Sequence, residues 1–269
     1  MASALQQEAI ERVRRDPQHA AVMLDIDGTL APIVKHAAEA HVPEPTRRLL
    51  IAITRRYGLV GCVSGRPASQ ARAMVSIGSI NYVGSHGAEL LRSGWTEAVM
   101  DPGVADWVRR IREFGRENDT TETRRSRVRL EDKGPIVAFH WRGAPDEEVA
   151  RATVDAIAQR AQGAGLATHW GRKVLEVRPP VRIDKGAGVT RLLEEVGDGI
   201  EAALYIGDDT TDLDAFRALA RLAEQGRLEA AIRVGVRSDE GPAAIADEAD
   251  IVVDGTAGVL ELLELLAGE

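Results

Sequence analysis

The chain has 269 residues, of which 44% are hydrophobic and 28% are charged, and its formal net charge is -8. This composition is typical of a globular protein with a buried core, and the acidic charge argues against nucleic acid and anionic membranes as partners. The single cysteine, Cys62, excludes a disulfide framework and a cysteine-rich zinc site. The segment 1–20 is polar and predicts neither a signal peptide nor a membrane span. We therefore expect a cytoplasmic protein.

Short apolar runs alternate with helical patterns along both ends of the chain. The runs predict buried parallel strands at 21–24, 59–63, 82–83, 203–206, 232–236 and 251–253. Helices are predicted at 46–57, 187–196 and 213–223. Strands that alternate with helices predict an α/β domain with a doubly wound, mainly parallel sheet.

The middle of the chain has a different order of elements. It predicts a helix at 104–117, two strands within 128–141, a helix at 146–162, and strands at 166–169 and 174–177. This order indicates an α+β unit. We therefore predict a core domain formed by 1–100 and 181–269, with an α+β cap domain inserted at 101–180.

Two carboxylates, Asp25 and Asp27, directly follow the first predicted strand and are succeeded by Gly28 and Thr29. Ligands of open α/β sheets bind beyond the carboxyl ends of the strands, so these carboxylates are well placed to act together on a ligand. The alternative is a simple turn, which Asp and Gly also favour.

Three more carboxylates, Asp208, Asp209 and Asp212, follow the predicted strand at 203–206. Like charges gathered in one place require a cation, and oxygen ligands beside a phosphate favour Mg²⁺. The alternative is a solvated acidic helix N-terminus, which the helix dipole stabilises.

Two weaker signals accompany these carboxylates. Ser64, Gly65 and Arg66 follow the strand at 59–63, where a hydroxyl and a glycine N–H suit a phosphate oxygen, although an ordinary strand-to-helix turn explains them equally. Lys185 precedes the helix predicted at 187–196 and is able to neutralise both a carboxylate and a phosphate, although a lone lysine there is usually a surface residue.

These four segments, in this order, resemble the haloacid dehalogenase (HAD) superfamily, with its Rossmann-like core. The resemblance implies that Asp25 attacks phosphorus to form an aspartyl-phosphate, and that Asp27 first protonates the leaving oxygen and then deprotonates water. It further implies that Ser64 and Lys185 hold the phosphoryl group and that Gly65, Arg66 and His86 contact the substrate.

The same resemblance implies a Mg²⁺ cofactor. Its predicted ligands are Asp25, the carbonyl group of Asp27, and Asp208, with Asp209 or Asp212 in support. One departure is visible: the family's fourth motif usually continues Thr-Asp-Glu-Asp, whereas Leu213 replaces the glutamate here. This replacement leaves open an altered metal affinity or a divergent paralogue.

Other stretches resemble trehalose-6-phosphate phosphatases, namely 27–33, 84–89, 131–134, 139–142 and 173–179. This resemblance implies that Glu131, Lys133 and Glu176 bind sugar hydroxyls. Glu131 and Lys133 are two residues apart and so share one face of a strand. The alternative for these residues is a surface ion pair of little energetic weight.

The sequence thus predicts a Mg²⁺-dependent phosphatase acting on trehalose 6-phosphate. One alternative is the same chemistry on another sugar phosphate, because fold and core chemistry do not fix the substrate. A second is a sugar-phosphate-binding protein without turnover, which has no need of both Asp25 and Asp27. The sequence predicts no oligomeric state.

Overall fold

The computed structural model describes residues 4–33, 40–171, 173–195, 199–238 and 241–268. The chain divides into two compact units: a core unit of Met1–Val99 with Ile183–Glu269, and a middle unit of Met100–Arg182. None of the described helices is both long and apolar enough to cross a membrane.

The described residues form helices and strands along most of the chain. The strands are β1 (Ala20–Leu24), β2 (Leu59–Val63), β3 (Asn81–Gly84), β4 (Glu89–Leu91), β5 (Val99–Met100), β6 (Arg129–Asp132), β7 (Val137–His140), β8 (Ala167–Gly171), β9 (Val174–Arg178), β10 (Ala202–Gly207), β11 (Ala230–Arg237) and β12 (Ile251–Asp254). The helices are α1 (Ala4–Arg15), α2 (Glu44–Arg56), α3 (Ala68–Val75), α4 (Pro102–Asn118), α5 (Thr121–Arg125), α6 (Glu147–Gly163), α7 (Lys185–Glu195), α8 (Asp212–Glu224), α9 (Ala243–Glu248) and α10 (Gly255–Ala267).

The core unit is built on one sheet, whose described strands follow the order β12-β11-β10-β1-β2-β3-β4-β5. The pairs from β12 to β3 are parallel, and β4 runs antiparallel to β3. Every residue of β1 and β2 is buried, since helices cover both faces of a parallel sheet. The predicted α/β fold with a mainly parallel sheet is confirmed.

Several elements of the core unit were not predicted. They are α1, α3, α9, α10, β4 and β5. The strands β4 and β5 contain three and two residues, too short for a pattern in the sequence to reveal them. The predicted end of the helix 187–196, Val196, lies outside the described residues, and α7 is described to Glu195.

The middle unit holds an antiparallel sheet, whose described strands follow the order β6-β7-β9-β8. Helices α4 and α6 contribute Ile111 and Val154 to a buried cluster with Phe139 and Leu175 of the sheet. Side chains alternate along β9, where Leu175 is buried and Glu176 is not. The sheet therefore has one apolar face toward the helices and one polar face.

Candidate active site

The two strongest sequence motifs meet at one edge of the core sheet. Strands β1 and β10 are parallel neighbours with Leu24 opposite Ile206, and the backbone N–H of Asp25 donates to the Ile206 carbonyl at 2.8 Å. Asp25 and Asp208 follow these strands directly, so the parallel register places both beyond the carboxyl ends, as the sequence predicts.

A buried charge cluster forms there. The carboxylates of Asp25, Asp208 and Asp212 have oxygens within 4.8 Å of one another, and all three residues are buried. Lys185, the first residue of α7, places Nζ at 2.6 Å from Asp25 Oδ1 and 2.7 Å from Asp212 Oδ1. The lysine therefore compensates part of the carboxylate charge.

Asp212 uses all of its hydrogen-bonding capacity on the protein. Its Oδ1 accepts from Lys185 Nζ at 2.7 Å and from Tyr205 Oη at 2.6 Å. Its Oδ2 accepts from the N–H groups of Asp208 at 3.1 Å and Asp209 at 3.0 Å. A carboxylate offers about four lone-pair sites, so Asp212 organises the lysine and the loop and has little capacity left for a direct metal bond.

The remaining carboxylates fit a hard divalent cation. Within the described part of the chain, Asp25 Oδ2 and Asp208 Oδ2 accept no hydrogen bond, whereas Asp208 Oδ1 accepts from Thr29 Oγ1 at 3.2 Å. Three carboxylates face one ammonium group in this cluster, which leaves two negative charges uncompensated. An oxygen-only donor set with this charge suits Mg²⁺.

The pKa shifts agree with a shortage of positive charge. Burial raises the pKa of Asp25 well above its usual range, although Lys185 opposes the shift. Burial and the neighbouring Asp212 raise the pKa of Asp208 to about 6. The pKa of Lys185 is also raised, because Asp212 and Asp25 outweigh the cost of burying the ammonium.

The carboxylates of Asp27, whose carbonyl group was the predicted metal ligand, and of Asp209 lie outside this cluster. The Asp27 carboxylate is bound at both oxygens by Arg66, through Nε at 2.7 Å and Nη2 at 2.7 Å. Asp209 is exposed and accepts from the backbone N–H of Thr210. Of the alternatives Asp209 and Asp212, the structure therefore places only Asp212 beside Asp25.

Glycine at position 28 is required for the two strand ends to meet. Gly28 has a φ of +87°, and a Cβ atom there would lie 2.1 Å from Asp208 Oδ2. The turn after Asp27 therefore has no room for a side chain.

The loop of Ser64, Gly65 and Arg66 is braced by the turn that carries His86. Ser85 N–H donates to the Arg66 carbonyl at 2.8 Å, and His86 N–H donates to the Ser64 carbonyl at 3.1 Å. The His86 ring lies against Gly65, where a Cβ atom would come within 2.6 Å of the ring. His86, predicted to contact substrate, thus has a structural role in this loop.

The preceding cysteine has no part in this arrangement. Cys62 is buried in β2, and burial raises the pKa of its thiol, which keeps the sulfur protonated and unreactive.

In the middle unit, the three predicted sugar-binding residues lie together. Lys133 Nζ is 3.2 Å from Glu176 Oε1 and 3.9 Å from Glu131 Oε2. Two residues outside the prediction complete the group: His140 Nε2 lies 2.7 Å from Glu131 Oε2, and Arg178 pairs with Glu176. His140 lies in the stretch 139–142, one of those that resemble trehalose-6-phosphate phosphatases, so the sequence offered a pointer to it.

The group is polar and partly open to solvent. The Glu131 side chain is 53% exposed, whereas that of Glu176 is 16% exposed. Arg178 and Lys133 lower the pKa of Glu176 although burial opposes this, so its carboxylate remains ionised. Lys173 pairs instead with Glu147.

Comparisons with known proteins cover most of the chain. Residues 23–248 match the family model described as Trehalose-phosphatase. The trehalose-phosphate phosphatase of Mycobacterium avium is 33% identical over 260 residues, which are 94% of this chain and 63% of that protein. An uncharacterized glycosyl hydrolase of Mycobacterium tuberculosis is 32% identical over 211 residues, which are 74% of this chain and 15% of that protein. The chain thus spans less than two thirds of the length of either relative.

A solved structure shares the fold. The trehalose-6-phosphate phosphatase of Aspergillus fumigatus matches with a TM-score of 0.70 at 23% identity, covering 97% of each chain.

Proposed function

Because this chain belongs to the trehalose-phosphatase family, we propose that it hydrolyses trehalose 6-phosphate to trehalose and phosphate, with Asp25 as the nucleophile and Mg²⁺ as the cofactor. The observation that carries the proposal is the buried cluster of Asp25, Lys185 and Asp208 at the carboxyl ends of β1 and β10. The Mycobacterium avium relative, a trehalose-phosphate phosphatase by name, supports the choice of sugar.

In the first step, a carboxylate oxygen of Asp25 attacks phosphorus while the bond from phosphorus to the sugar oxygen breaks. Asp27 gives its proton to the leaving oxygen, since a sugar alkoxide is a poor leaving group. In the second step, water attacks the phosphorus of the aspartyl-phosphate and passes a proton to Asp27. Asp25 is thereby restored, and phosphate is released.

Lys185 is suited to hold the phosphoryl group during both steps. Its ammonium has three donor positions, of which Asp25 and Asp212 take two. The third is left for a phosphoryl oxygen, and Ser64 supplies a neutral donor beyond the neighbouring strand β2.

Asp25 and Asp208 are the residues that would hold Mg²⁺, and Asp212 would support them through the loop and the lysine. When bound, the ion supplies positive charge that lowers the cost of bringing a phosphate dianion beside buried carboxylates. In the middle unit, Glu131, Lys133 and Glu176 are proposed to bind sugar hydroxyls, which makes 100–182 the substrate-specificity domain.

The direct test is phosphate release from trehalose 6-phosphate, glucose 6-phosphate and sucrose 6-phosphate by the purified protein with Mg²⁺. We expect a strong preference for trehalose 6-phosphate, which is abolished by a chelator and in Asp25→Asn. Release only from another sugar phosphate would retain the Asp25 chemistry and overturn the substrate. Tight binding of trehalose 6-phosphate without release would instead identify a non-catalytic binding protein.

A further inference from the structure

One arginine binds both oxygens of the Asp27 carboxylate. Arg66 Nε donates to Oδ2 and Nη2 donates to Oδ1, each at 2.7 Å. Such two-pronged pairs are stronger than single ionic hydrogen bonds and fix the plane of the carboxylate. The side chains of Arg66 and Asp27 are only 23% and 38% exposed. The pair is therefore better defined than an ordinary surface ion pair.

The backbone of Arg66 is held in place on both sides. Its N–H donates to Ser64 Oγ at 3.1 Å, and its carbonyl accepts from Ser85 N–H at 2.8 Å. Glu89 in turn accepts from Ser85 Oγ at 2.9 Å. Strand β2 and the 85–87 turn thus fix the base of the arginine side chain, which allows its guanidinium to impose an orientation on Asp27.

We propose that Arg66 is a positioning residue for Asp27, and that it acts on the reaction through this carboxylate rather than by binding the phosphoryl group. The inference rests on the proposed function and replaces the substrate contact that the sequence predicted for Arg66. When Asp27 acts as the acid, one of its oxygens carries a proton, taken from water before the first turnover and regained from the attacking water in the second step. That oxygen gives up its bond from Arg66, and the bond to the other oxygen keeps the carboxyl group directed toward the leaving oxygen.

Substrates with different leaving groups distinguish the two possible roles of Arg66, positioning Asp27 and binding the phosphoryl group. A sugar alkoxide needs a proton from Asp27, whereas 4-nitrophenolate is stable without one. Loss of a residue that acts through Asp27 should slow release mainly from the sugar phosphate. Loss of a residue that binds the phosphoryl group should slow release from both substrates equally.

The experiment compares single-turnover release of trehalose from trehalose 6-phosphate with release of 4-nitrophenolate from 4-nitrophenyl phosphate. The variants are Arg66→Ala and Arg66→Lys, alone and with Asp27→Asn. Arg72→Ala serves as control, since Arg72 lies on the neighbouring helix α3 and donates to the Trp95 carbonyl. Thermal unfolding identifies variants that fail to fold, and Arg66→Lys keeps the charge if Arg66→Ala is among them.

We expect Arg66→Ala to slow trehalose release by roughly 10- to 100-fold, which is less than the roughly 10²- to 10⁴-fold that a positioned acid contributes, because Asp27 itself remains. The loss for 4-nitrophenolate should be at least about tenfold smaller, since that leaving group does not draw on the acid. Arg66→Lys should recover only part of the rate because an ammonium cannot make the planar pair. In Asp27→Asn, adding Arg66→Ala should cause no further loss.

Equal losses for both substrates, or a full further loss in Asp27→Asn, would overturn the inference and assign Arg66 to the phosphoryl group. Failure of the proposed function is separately visible. If the wild-type protein cleaves glucose 6-phosphate but not trehalose 6-phosphate, the substrate proposal fails, and the Arg66 comparison is made with glucose 6-phosphate.

Discussion

The charged groups of the core unit differ from those of the middle unit in how far they are buried. In the core unit, Lys185 and Asp212 are buried and every oxygen of Asp212 has protein donors. In the middle unit, Lys133 and Glu131 form an exposed pair on one face of a sheet. Buried charges require their partners, whereas exposed ones gain little from pairing.

This difference separates stability from recognition. Removing the ammonium group or a hydrogen-bond donor from the buried cluster should damage both the fold and the chemistry, because the buried carboxylates then lose their compensation. A change in the exposed group should leave the fold intact and alter only the affinity for sugar. Four substitutions test this contrast, in order of decreasing effect on stability.

The largest effect is expected for Lys185→Met, which leaves buried carboxylates without their ammonium. We expect the free energy of unfolding to fall by about 3–5 kcal/mol and phosphate release to be lost. Urea denaturation without Mg²⁺ measures the free energy of unfolding. The control is Lys133→Met in the middle unit, for which we expect less than about 1 kcal/mol. Similar losses for the two variants would remove the contrast.

The second effect depends on pH and concerns Asp208→Asn in the metal-free protein. Because the folded protein raises the pKa of Asp208 to about 6, the folded state binds the proton more tightly than the unfolded state. The contribution of Asp208 to stability therefore falls as pH rises from about 4 to about 6.

Asp208→Asn removes that loss. Without metal, the free energy of unfolding of the variant relative to that of wild type should rise by about 2–3 kcal/mol between pH 4 and pH 7. With Mg²⁺ the comparison should reverse, because only the wild-type protein binds the ion tightly and is stabilised by it. If the difference in unfolding free energy between Asp208→Asn and wild type stayed constant with pH, it would contradict an uncompensated charge at Asp208.

A smaller effect is expected for Tyr205→Phe, which removes one donor from Asp212 while Lys185 remains. Loss of a buried hydrogen bond should cost about 1–2 kcal/mol. Phosphate release should also fall several-fold because Asp212 positions Lys185. Tyr82→Phe is the matched control, since the buried Tyr82 hydroxyl donates to the Ile77 carbonyl at 2.6 Å. The control should lose similar stability but no activity, and equal activity losses would refute the role of Tyr205.

The smallest effect on stability is expected for Glu176→Gln. The unfolding free energy should change by less than about 1 kcal/mol, since the side chain stays polar and its partners keep contact with water. The KM for trehalose 6-phosphate should rise about tenfold, as for the loss of one or two sugar hydrogen bonds. Glu147→Gln, which affects the pair with Lys173 in the same unit, should leave KM unchanged. Equal KM values for the two variants would place sugar recognition elsewhere.

The buried strands and their terminal carboxylates were predictable, because apolar runs of four or five residues followed by Asp, Gly or Ser are local signals. The parallel register of β1 and β10 then brings Asp25 and Asp208 together without further information.

The partners of these residues were not predictable in the same way. Tyr205 looks like an ordinary apolar strand residue until its hydroxyl is seen against Asp212. The pairing of Arg66 with Asp27 joins residues 39 positions apart, and no spacing rule links them. Such contacts depend on tertiary packing, which a single sequence does not reveal.

The role of Asp25 as nucleophile is tested most directly by trapping the phosphorylated residue during turnover. The protein is mixed with trehalose 6-phosphate and Mg²⁺, quenched with acid, reduced with borohydride and mapped by peptide mass spectrometry. An aspartyl-phosphate is reduced to homoserine, so we expect homoserine at position 25, absent without substrate and absent in Asp25→Asn. Phosphate release without homoserine at position 25, or with homoserine at another aspartate, would contradict Asp25 as the nucleophile.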